Sequence, residues 1–278
     1  LYARFYTRAL RDCGYLDVDE PFEGLFTQGM VCHETYQDDE GGWVFPDRVV
    51  ADESGAKIDG ETGRPVHIGR SEKMSKSRRN VVDPELILDT FGADAGRLFM
   101  MSDSPPERDL EWTESGIEGA WRYLNRLWRM FADPAAPVAQ PGAAQPESPD
   151  AAGEAMLRAV HQTIAAVTED LERFRFNRAV AHVRELTNRL GDYRDAGPAH
   201  DGIRRIAFEA TVRLIGPMMP HIAEEFWRML GHEELLADAP WPVADPAYLV
   251  DDTVTIAVQI KGKLRGTIEM PRDADKAA

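Results

Sequence analysis

The chain has 278 residues, enough for about two domains of ordinary size. Hydrophobic residues make up 43% and charged residues 29%, a globular balance. No apolar run approaches the ~20 residues that a membrane-spanning helix needs. The 32 Lys and Arg residues face 48 Asp and Glu residues, and the formal net charge of −16 argues against non-specific binding of polyanions.

Cysteine and the possible metal ligands are sparse. Cys13 and Cys32 are too few for a disulfide framework or a cysteine-rich zinc site, so we expect both to be reduced and buried, as in a cytoplasmic protein. No His, Cys, Asp or Glu cluster has the spacing of zinc ligands, and we predict no metal site. Because the chain starts at Leu1 and stops just after a strand-like stretch, we expect it to be part of a longer polypeptide.

Residues 1–112 have the pattern of mixed helices and strands. We predict a short helix over residues 2–12 and a strand around residues 29–32. Residues 41–69 are rich in Gly and Asp, with short β-branched pieces, and predict a small insertion of hairpins. Asp83 before a proline is a typical helix N-cap, and Gly92 is placed to end that helix.

From about residue 113 the apolar residues recur at spacings of three and four, which indicates amphipathic helices that bury one face each in a bundle. A Pro- and Ala-rich loop at 133–153 interrupts them, and alternation after residue 253 predicts a β-hairpin. The helical stripes are Ile117, Trp121, Leu124, Trp128 and Phe131; Leu157, Val160, Ile164, Val167, Leu171 and Phe174; Phe176, Val180, Val183, Leu186 and Leu190; Ile203, Ile206, Ala210 and Leu214; and Ile222, Phe226 and Leu230.

A basic island interrupts the acidic first part of the chain. Residues 71–80 contain Lys73, Lys76, Arg78 and Arg79 against Glu72 alone, for a net charge of +3, whereas residues 1–70 and 81–112 carry −7 and −6. Two lysines with neighbouring serine hydroxyls suit a polyphosphate, because the cations stabilise charge that grows on a leaving pyrophosphate. The alternative is a solvated loop with a chance cluster of cations.

The island is identical to a known signature. Lys73-Met74-Ser75-Lys76-Ser77 has the KMSKS sequence of the class I aminoacyl-tRNA synthetases, and its context resembles the leucine-specific members of bacterial type. The matching stretches follow the family's order along nearly the whole chain. They include Thr27-Gln28-Gly29-Met30-Val31, Val82-Asp83-Pro84, Phe91-Gly92-Ala93-Asp94, Arg97-Leu98-Phe99-Met100, Ser104-Pro105-Pro106-Glu107, Leu110-Glu111-Trp112, Gly116-Ile117-Glu118-Gly119-Ala120, Arg175-Phe176-Asn177, Pro220-His221-Ile222-Ala223-Glu224-Glu225, and the run from Val258 to Gly266.

The resemblance implies an α+β multidomain fold. Residues 1–112 would be the end of a Rossmann-like catalytic domain that carries the KMSKS loop and the insertion at about 41–69. Residues 113–248 would be an all-α bundle of the anticodon-binding type, and residues 249–278 the start of a small β-containing C-terminal domain. The chain would be a C-terminal fragment that is inactive alone, because the family's other ATP signature, HIGH, would lie before Leu1.

The resemblance also implies an activity. The complete enzyme would be an ATP-dependent ligase that forms leucyl-adenylate from leucine and ATP with Mg²⁺, and then transfers leucine to tRNA(Leu). Lys73 and Lys76 would be catalytic, and residues Lys73, Met74, Ser75, Lys76 and Ser77 would bind ATP. We expect a cytoplasmic monomer that is not bound to a membrane. A non-catalytic tRNA-binding module, or a paralogue of a class I synthetase, is the alternative.

Three histidine positions are further candidates for site residues. His67-Ile68-Gly69-Arg70 resembles HIGH, but its last residue differs and no helix follows, so we interpret it as a strand that leads into the loop. His33 has no partner nearby in sequence. His221, in a predicted helix start, is interpreted as structural.

Two sets of cations are candidates for contact with RNA. Arg122, Arg126 and Arg129 are spaced as a ridge along one side of a helix, which suits a phosphate backbone, although a solvated helix face fits equally well. Lys261, Lys263 and Arg265 alternate along one face of the predicted hairpin and are the second candidate.

Overall fold

The structure is a computed structural model that describes residues 1–143, 145–195, 197–250, 253–260 and 263–271. In the first part of the chain, the predicted helix at residues 2–12 is confirmed. The elements of this part are α1 (Tyr2–Asp12), β1 (Val31–Asp38), β2 (Val49–Ala51), β3 (Lys57–Asp59), β4 (Val66–Lys73), α2 (Pro84–Phe91), α3 (Ala93–Ser102) and β5 (Leu110–Glu111).

A three-stranded sheet in the order β4-β1-β5 carries the basic island at its edge. β4 runs antiparallel to β1, and β5 runs parallel to it. The register between β1 and β4 shifts between Glu34 and Tyr36, because β4 has one extra residue there and Thr35 faces both Gly69 and Arg70. The hydroxyl of Thr35 donates to the carbonyl of Arg70 at 3.0 Å. The strand expected around residues 29–32 is β1, and it begins two residues later than expected, at Val31.

The predicted insertion is a separate two-stranded hairpin of β2 and β3. Residues 66–68, which were predicted to be part of this insertion, instead form the start of β4 in the three-stranded sheet. Asp83 caps α2 by accepting the amide of Glu85 at 2.9 Å, and Gly92 ends α2 with a φ of 82°. Both of these helix boundaries were predicted, because capping chemistry is local in sequence.

The second half is the expected helical bundle. Its elements are α4 (Glu114–Ala132), α5 (Ala151–Glu172), α6 (Phe176–Asp192), α7 (Pro198–Ile215), α8 (Pro220–Met229) and a hairpin of β6 (Thr253–Ile260) and β7 (Lys263–Pro271). Most predicted stripe residues are buried or half-buried, but Trp121, Trp128 and Phe174 are exposed. On α4 the core face is instead completed by Ala120, Tyr123 and Leu127, because the buried face is centred nearer to Leu127.

One apolar core runs from α2 and α3 through the bundle, so the two halves are packed together. Where α4 crosses α3, Gly116 permits the approach, since a Cβ on this residue would lie 2.3 Å from the ring of Phe99. Phe99 in turn contacts Trp112 edge to face, with ring centroids 5.0 Å apart. Gly116, the first residue of the Gly116-Ile117-Glu118-Gly119 stretch, therefore has a packing role.

Two polar side chains of α3 join it to the turn between α7 and α8. The buried carboxylate of Asp94 accepts the amides of Ile222 at 2.7 Å and of His221 at 3.4 Å, and so caps α8 from outside that helix. Arg97, one turn later, donates to the carbonyls of Pro217 at 2.8 Å and Met218 at 3.0 Å. This joint fixes the bundle to the part of the chain that carries the basic island.

The described residues of the Pro- and Ala-rich loop are not helical before Ala151, where α5 begins, so residues 151–153 of the predicted loop belong to the helix. The loop is held to the bundle. Arg204, which is 2% exposed on α7, donates to the carbonyl of Pro137 and to that of Asp195 at 2.7 Å. The amide of Ala139 donates to the carbonyl of Asp201 at 3.1 Å. A buried guanidinium of this kind satisfies backbone carbonyls that a loop otherwise leaves unpaired.

The first thirty residues bury none of their side chains, and they expose several large apolar ones on and after α1. Cys13 is exposed and Cys32 is half-buried, both as free thiols, so the expectation that both are buried was wrong. Cys13 follows α1, a helix that buries none of its own side chains against the described part of the chain. No helix among the described residues is long and apolar enough to cross a membrane.

The segment after α8 is fastened along α5. The indole of Trp241 donates to Thr168 at 2.8 Å, and the amide of Asp245 donates to Nδ1 of His161 at 3.1 Å. The ring of Tyr248 stacks on His161 with centroids 4.8 Å apart. Burial lowers the pKa of His161 below its ordinary value, and the nearby Asp245 carboxylate opposes this shift. The unprotonated ring is the form that accepts the amide.

This contact predicts a loss of stability in acid. The folded chain binds a proton at His161 more weakly than the unfolded chain, so its contribution is complete above the ordinary histidine pKa of about 6.5 and falls as the pH drops below it. His161→Gln keeps an acceptor without titrating. Urea denaturation from pH 8 to 5 should show a smaller loss for His161→Gln than for the unchanged chain.

The exposed His67→Gln serves as the control and should follow the unchanged chain. Parallel curves for all three proteins would contradict a titrating contact at His161.

Candidate nucleotide-binding site

The basic island forms a tight loop at the end of β4. Lys73 is the last residue of the strand and pairs with Cys32 of β1, and the amide of Met74 donates to the carbonyl of Val31 at 3.0 Å. Residues 76–79 form consecutive turns, with the amide of Arg79 bonded to the carbonyl of Lys76 at 3.3 Å. The loop therefore projects from the sheet edge, with its tip at Lys76 and Ser77.

Asn80 fastens both ends of this loop. Its side chain is fully buried, and its Nδ2 donates to the carbonyls of His33 and Glu72 at 3.1 Å each and lies 3.4 Å from that of Lys73. Its Oδ1 accepts the amide of Ser75 at 3.0 Å. A buried amide without partners is costly, so these bonds hold the two ends of the loop together.

The two lysines are left available. Both are exposed, and among the described residues neither ammonium group makes an ion pair or a hydrogen bond. The backbone amides of Lys76 and Ser77 are likewise unbonded within that part of the chain, and the hydroxyls of Ser75 and Ser77 are 3.3 Å apart. Ammonium groups, amides and hydroxyls are all hydrogen-bond donors, which together suit an anion with several oxygen atoms.

The strand behind the loop offers no reactive group. Burial, together with the charges of Asp109 and Glu111, raises the pKa of the Cys32 thiol, which keeps it protonated and a poor nucleophile. Burial and a hydrogen bond to Glu34 raise the pKa of Tyr36 to about 12. The chemistry of this edge therefore rests on the donors of the loop.

The three candidate histidines have structural explanations. His67 is an exposed residue of β4 that pairs with Asp39 at 2.8 Å, and a Cβ on Gly69 would lie 2.4 Å from the hydroxyl of Thr35. His67-Ile68-Gly69-Arg70 is thus a strand shaped by the bulge, as predicted. His33 is buried against the carbonyl of Glu34, and His221 lies 3.6 Å from the capping carboxylate of Asp94.

The candidate RNA-binding cations lie on other elements. Arg122, Arg126 and Arg129 are all exposed on α4. Arg126 and Arg129 line an open cleft of about 410 Å³ against the C-terminal end of α6, and no residue of the basic island lines it. In the hairpin, Arg265 is exposed, Lys263 is paired with Ile260 through the backbone, and Lys261 lies outside the described residues.

With this geometry in place, the chain was compared with known proteins. Residues 66–113 match a family described as tRNA synthetases class I (I, L, M and V), and residues 154–278 match the anticodon-binding domain of tRNA ligase. Leucine–tRNA ligase of Paramagnetospirillum magneticum is 61% identical over the whole chain, and that of Rhodospirillum rubrum is 56% identical over 99% of it.

Over its whole length the chain is similar to leucine–tRNA ligases. It spans about a third of these relatives, 32% of the length of each. A solved structure titled a ternary complex of Agrobacterium radiobacter K84 LeuRS, tRNA and LeuAMS superposes with a TM-score of 0.68 at 30% identity, over 99% of this chain and 31% of that one. The expected fold class, an α+β arrangement followed by a helical bundle, is confirmed.

Sequence reasoning missed Asn80. It was visible as the last residue of the basic island, but its burial depends on the carbonyls of β1 and β4, which are distant in sequence or hidden in a strand. It also missed Trp43 and Phe45, whose rings contact the arginines that follow the signature. No local pattern marks such contacts across more than thirty residues.

The role of Asn80 can be measured directly. Asn80→Ala removes the donors to three carbonyls and leaves the amide of Ser75 unpaired, so the loop should open more easily by about 2–4 kcal/mol. Hydrogen exchange at the amides of Met74 and Ser75 reports this opening.

Asn125→Ala is the matched control, because that side chain makes one bond to a carbonyl of its own helix α4, that of Trp121. It should leave exchange in the loop unchanged. Equal protection in Asn80→Ala and the unchanged chain would show that Asn80 does not fasten the loop.

Proposed function

We propose that this chain supplies the ATP-binding loop and the tRNA-binding bundle of a leucine–tRNA ligase. The complete enzyme forms leucyl-adenylate from leucine and ATP, and then transfers leucine to the terminal ribose of tRNA(Leu). The observation that carries the proposal is a pair of lysines on a loop fastened by Asn80, in a chain whose relatives are named leucine–tRNA ligases. Neither lysine side chain has a hydrogen-bond or ion-pair partner among the described residues.

The reaction needs charge stabilisation more than proton transfer. A carboxylate oxygen of leucine attacks the α-phosphorus of ATP, the bond from phosphorus to the bridging oxygen breaks, and pyrophosphate leaves with the additional negative charge. Lys76 and Lys73 would donate to the departing phosphates, which favours the transition state over bound ATP. The nucleophile is already ionised, so no general base is required of these residues.

The remaining loop residues would hold ATP in place. The hydroxyls of Ser75 and Ser77 and the free amides of Lys76 and Ser77 would donate to phosphate oxygens, and the backbone of Met74 would lie near the adenine. Mg²⁺ commonly accompanies ATP, but Lys, Ser and Arg are not the carboxylate ligands that it prefers, so we assign it no residue of the loop.

The bundle would hold the tRNA through its phosphates. Arg122, Arg126 and Arg129 form one ridge on α4, and Lys261, Lys263 and Arg265 would form a second contact from the hairpin. We keep the division at residues 1–112, 113–248 and 249–278 as part of the proposal. Location in the cytoplasm and a monomeric state complete it, and both rest on the family resemblance.

Lys76 provides the central test, in the full-length ligase that carries this chain. Lys76→Ala should lower the kcat of leucine-dependent ATP–pyrophosphate exchange by roughly a hundredfold or more, while KM for ATP changes much less, because the interaction strengthens in the transition state. Lys57→Ala removes an exposed lysine of the insertion and should leave both constants unchanged.

An unchanged kcat with a raised KM would contradict the transition-state role of Lys76. If the full-length protein catalyses no exchange with any amino acid but still binds tRNA, it is a binding module and not a ligase.

The arginine ridge predicts a change in salt dependence. Replacing Arg122, Arg126 and Arg129 with Ala should weaken tRNA binding roughly tenfold and reduce the slope of log Kd against log salt by about one for each phosphate that the variant no longer neutralises. Filter binding of the full-length ligase at several salt concentrations measures both. Arg173→Ala with Arg189→Ala removes two exposed arginines from other helices, and an equal effect there would refute the ridge.

A further inference from the structure

Two aromatic rings of the insertion hold the arginines that follow the signature. The guanidinium of Arg78 lies 4.8 Å from the ring centroid of Trp43, and that of Arg79 lies 5.3 Å from the ring of Phe45. Arg79 also donates to the carbonyl of Trp43 at 3.0 Å. The insertion and the loop thus meet at two adjacent arginines.

The rings are presented on a well-fastened support. Arg48 bonds the buried carboxylate of Asp59 through two nitrogens, one of them Nε at 3.0 Å, and this contact holds the pKa of Asp59 at about 2. Asp38 accepts the amide of Gly42 at 2.7 Å, and Val44 between the two rings is buried. A platform of this kind can fix what is stacked on it.

The contact holds only the second half of the loop. Arg79 has a φ of 54°, a left-handed backbone conformation that is unfavourable for residues other than glycine. The contacts of Arg79 must therefore offset the free-energy cost of this conformation. Among the described residues, neither Lys73 nor Lys76 makes a hydrogen bond, an ion pair or a cation–π contact with the insertion. The residues that would meet ATP remain free while the residues after them are anchored.

The use of rings has an electrostatic consequence. A carboxylate partner would cancel the charge of each arginine, whereas an aromatic face attracts a guanidinium without adding negative charge. Arg78 has one acidic neighbour, Glu72, at 3.6 Å, and Arg79 has no ion pair among the described residues. The anchor therefore preserves the positive potential of the loop.

We propose that Trp43 and Phe45 are positioning residues that anchor residues 78–80, so that only residues 73–77 move when a nucleotide binds. The nucleotide part of this statement rests on the proposed function, and the anchor itself does not. Anchoring limits the conformations of the loop and so raises the fraction that can place Lys76 correctly.

Trypsin tests the anchor in the chain itself, because it cleaves after the arginines concerned. Removal of either ring, in Trp43→Leu or Phe45→Leu, should speed cleavage after Arg78 and Arg79 by roughly two- to fivefold. Phe45→Tyr and Trp43→Phe keep an aromatic face and should restore slow cleavage. Val50→Thr, an exposed change in β2, is the control for the integrity of the insertion.

Cleavage that is equally slow in the leucine variants and the unchanged chain would overturn the anchor. Cleavage that is faster in Val50→Thr, or fast in the aromatic replacements, would also overturn it, since the effect would then come from unfolding of the insertion.

Exchange kinetics in the full-length ligase test the consequence for ATP. Phe45→Leu with Trp43→Leu should lower kcat/KM for ATP by roughly two- to fivefold per ring, with Phe45→Tyr close to the unchanged enzyme. A lower KM with kcat unchanged would overturn the proposal, because the rings would then restrain loop closure. Absence of exchange in the unchanged enzyme would refute the proposed function, while the trypsin result would still decide the anchor.

Discussion

The buried amide of Asn80 is the interaction on which the geometry of the loop depends. A side chain with no access to water must find partners inside the protein, and those available to Asn80 are the carbonyls of His33, Glu72 and Lys73 and the amide of Ser75. These groups belong to two strands and to the start of the loop. Satisfying them holds the two ends of the loop together, and the lysines then project from a fixed base.

A second constraint relates that base to the bundle. Asp94 and Arg97 lie one helical turn apart on α3, and both make hydrogen bonds to the segment that joins α7 and α8. The carboxylate of Asp94 accepts backbone amides, and the guanidinium of Arg97 donates to backbone carbonyls. The apolar core continues across the same boundary. Because both polar and apolar contacts span it, the bundle and the loop are held in a fixed relation to each other.

Much of the fold could be predicted because its signals are local. Capping by Asp83 and termination at Gly92 require only neighbouring residues, and the apolar stripes of α5 and α6 follow from helical periodicity. Periodicity failed for Trp121 and Trp128, since either edge of a wide apolar face can turn to solvent and only packing decides which. The phosphate-binding chemistry of the loop could be predicted from residues 73–77 alone. The residues that hold the loop in place, Asn80, Trp43 and Phe45, could not, because their roles depend on contacts across the sheet and the insertion.

The net charge of −16 gains meaning from the way that cations are paired. In α1 and the insertion, Arg4, Arg8, Arg48 and Arg64 all lie against carboxylates, which neutralise them. In the loop, Arg79 is held by a ring and a carbonyl, and the lysines are free of carboxylates in the described structure. These carboxylates thus neutralise cations of α1 and the insertion and leave the loop as a local focus for phosphate. An acidic total is therefore compatible with polyphosphate and RNA ligands, because local potential decides where they bind.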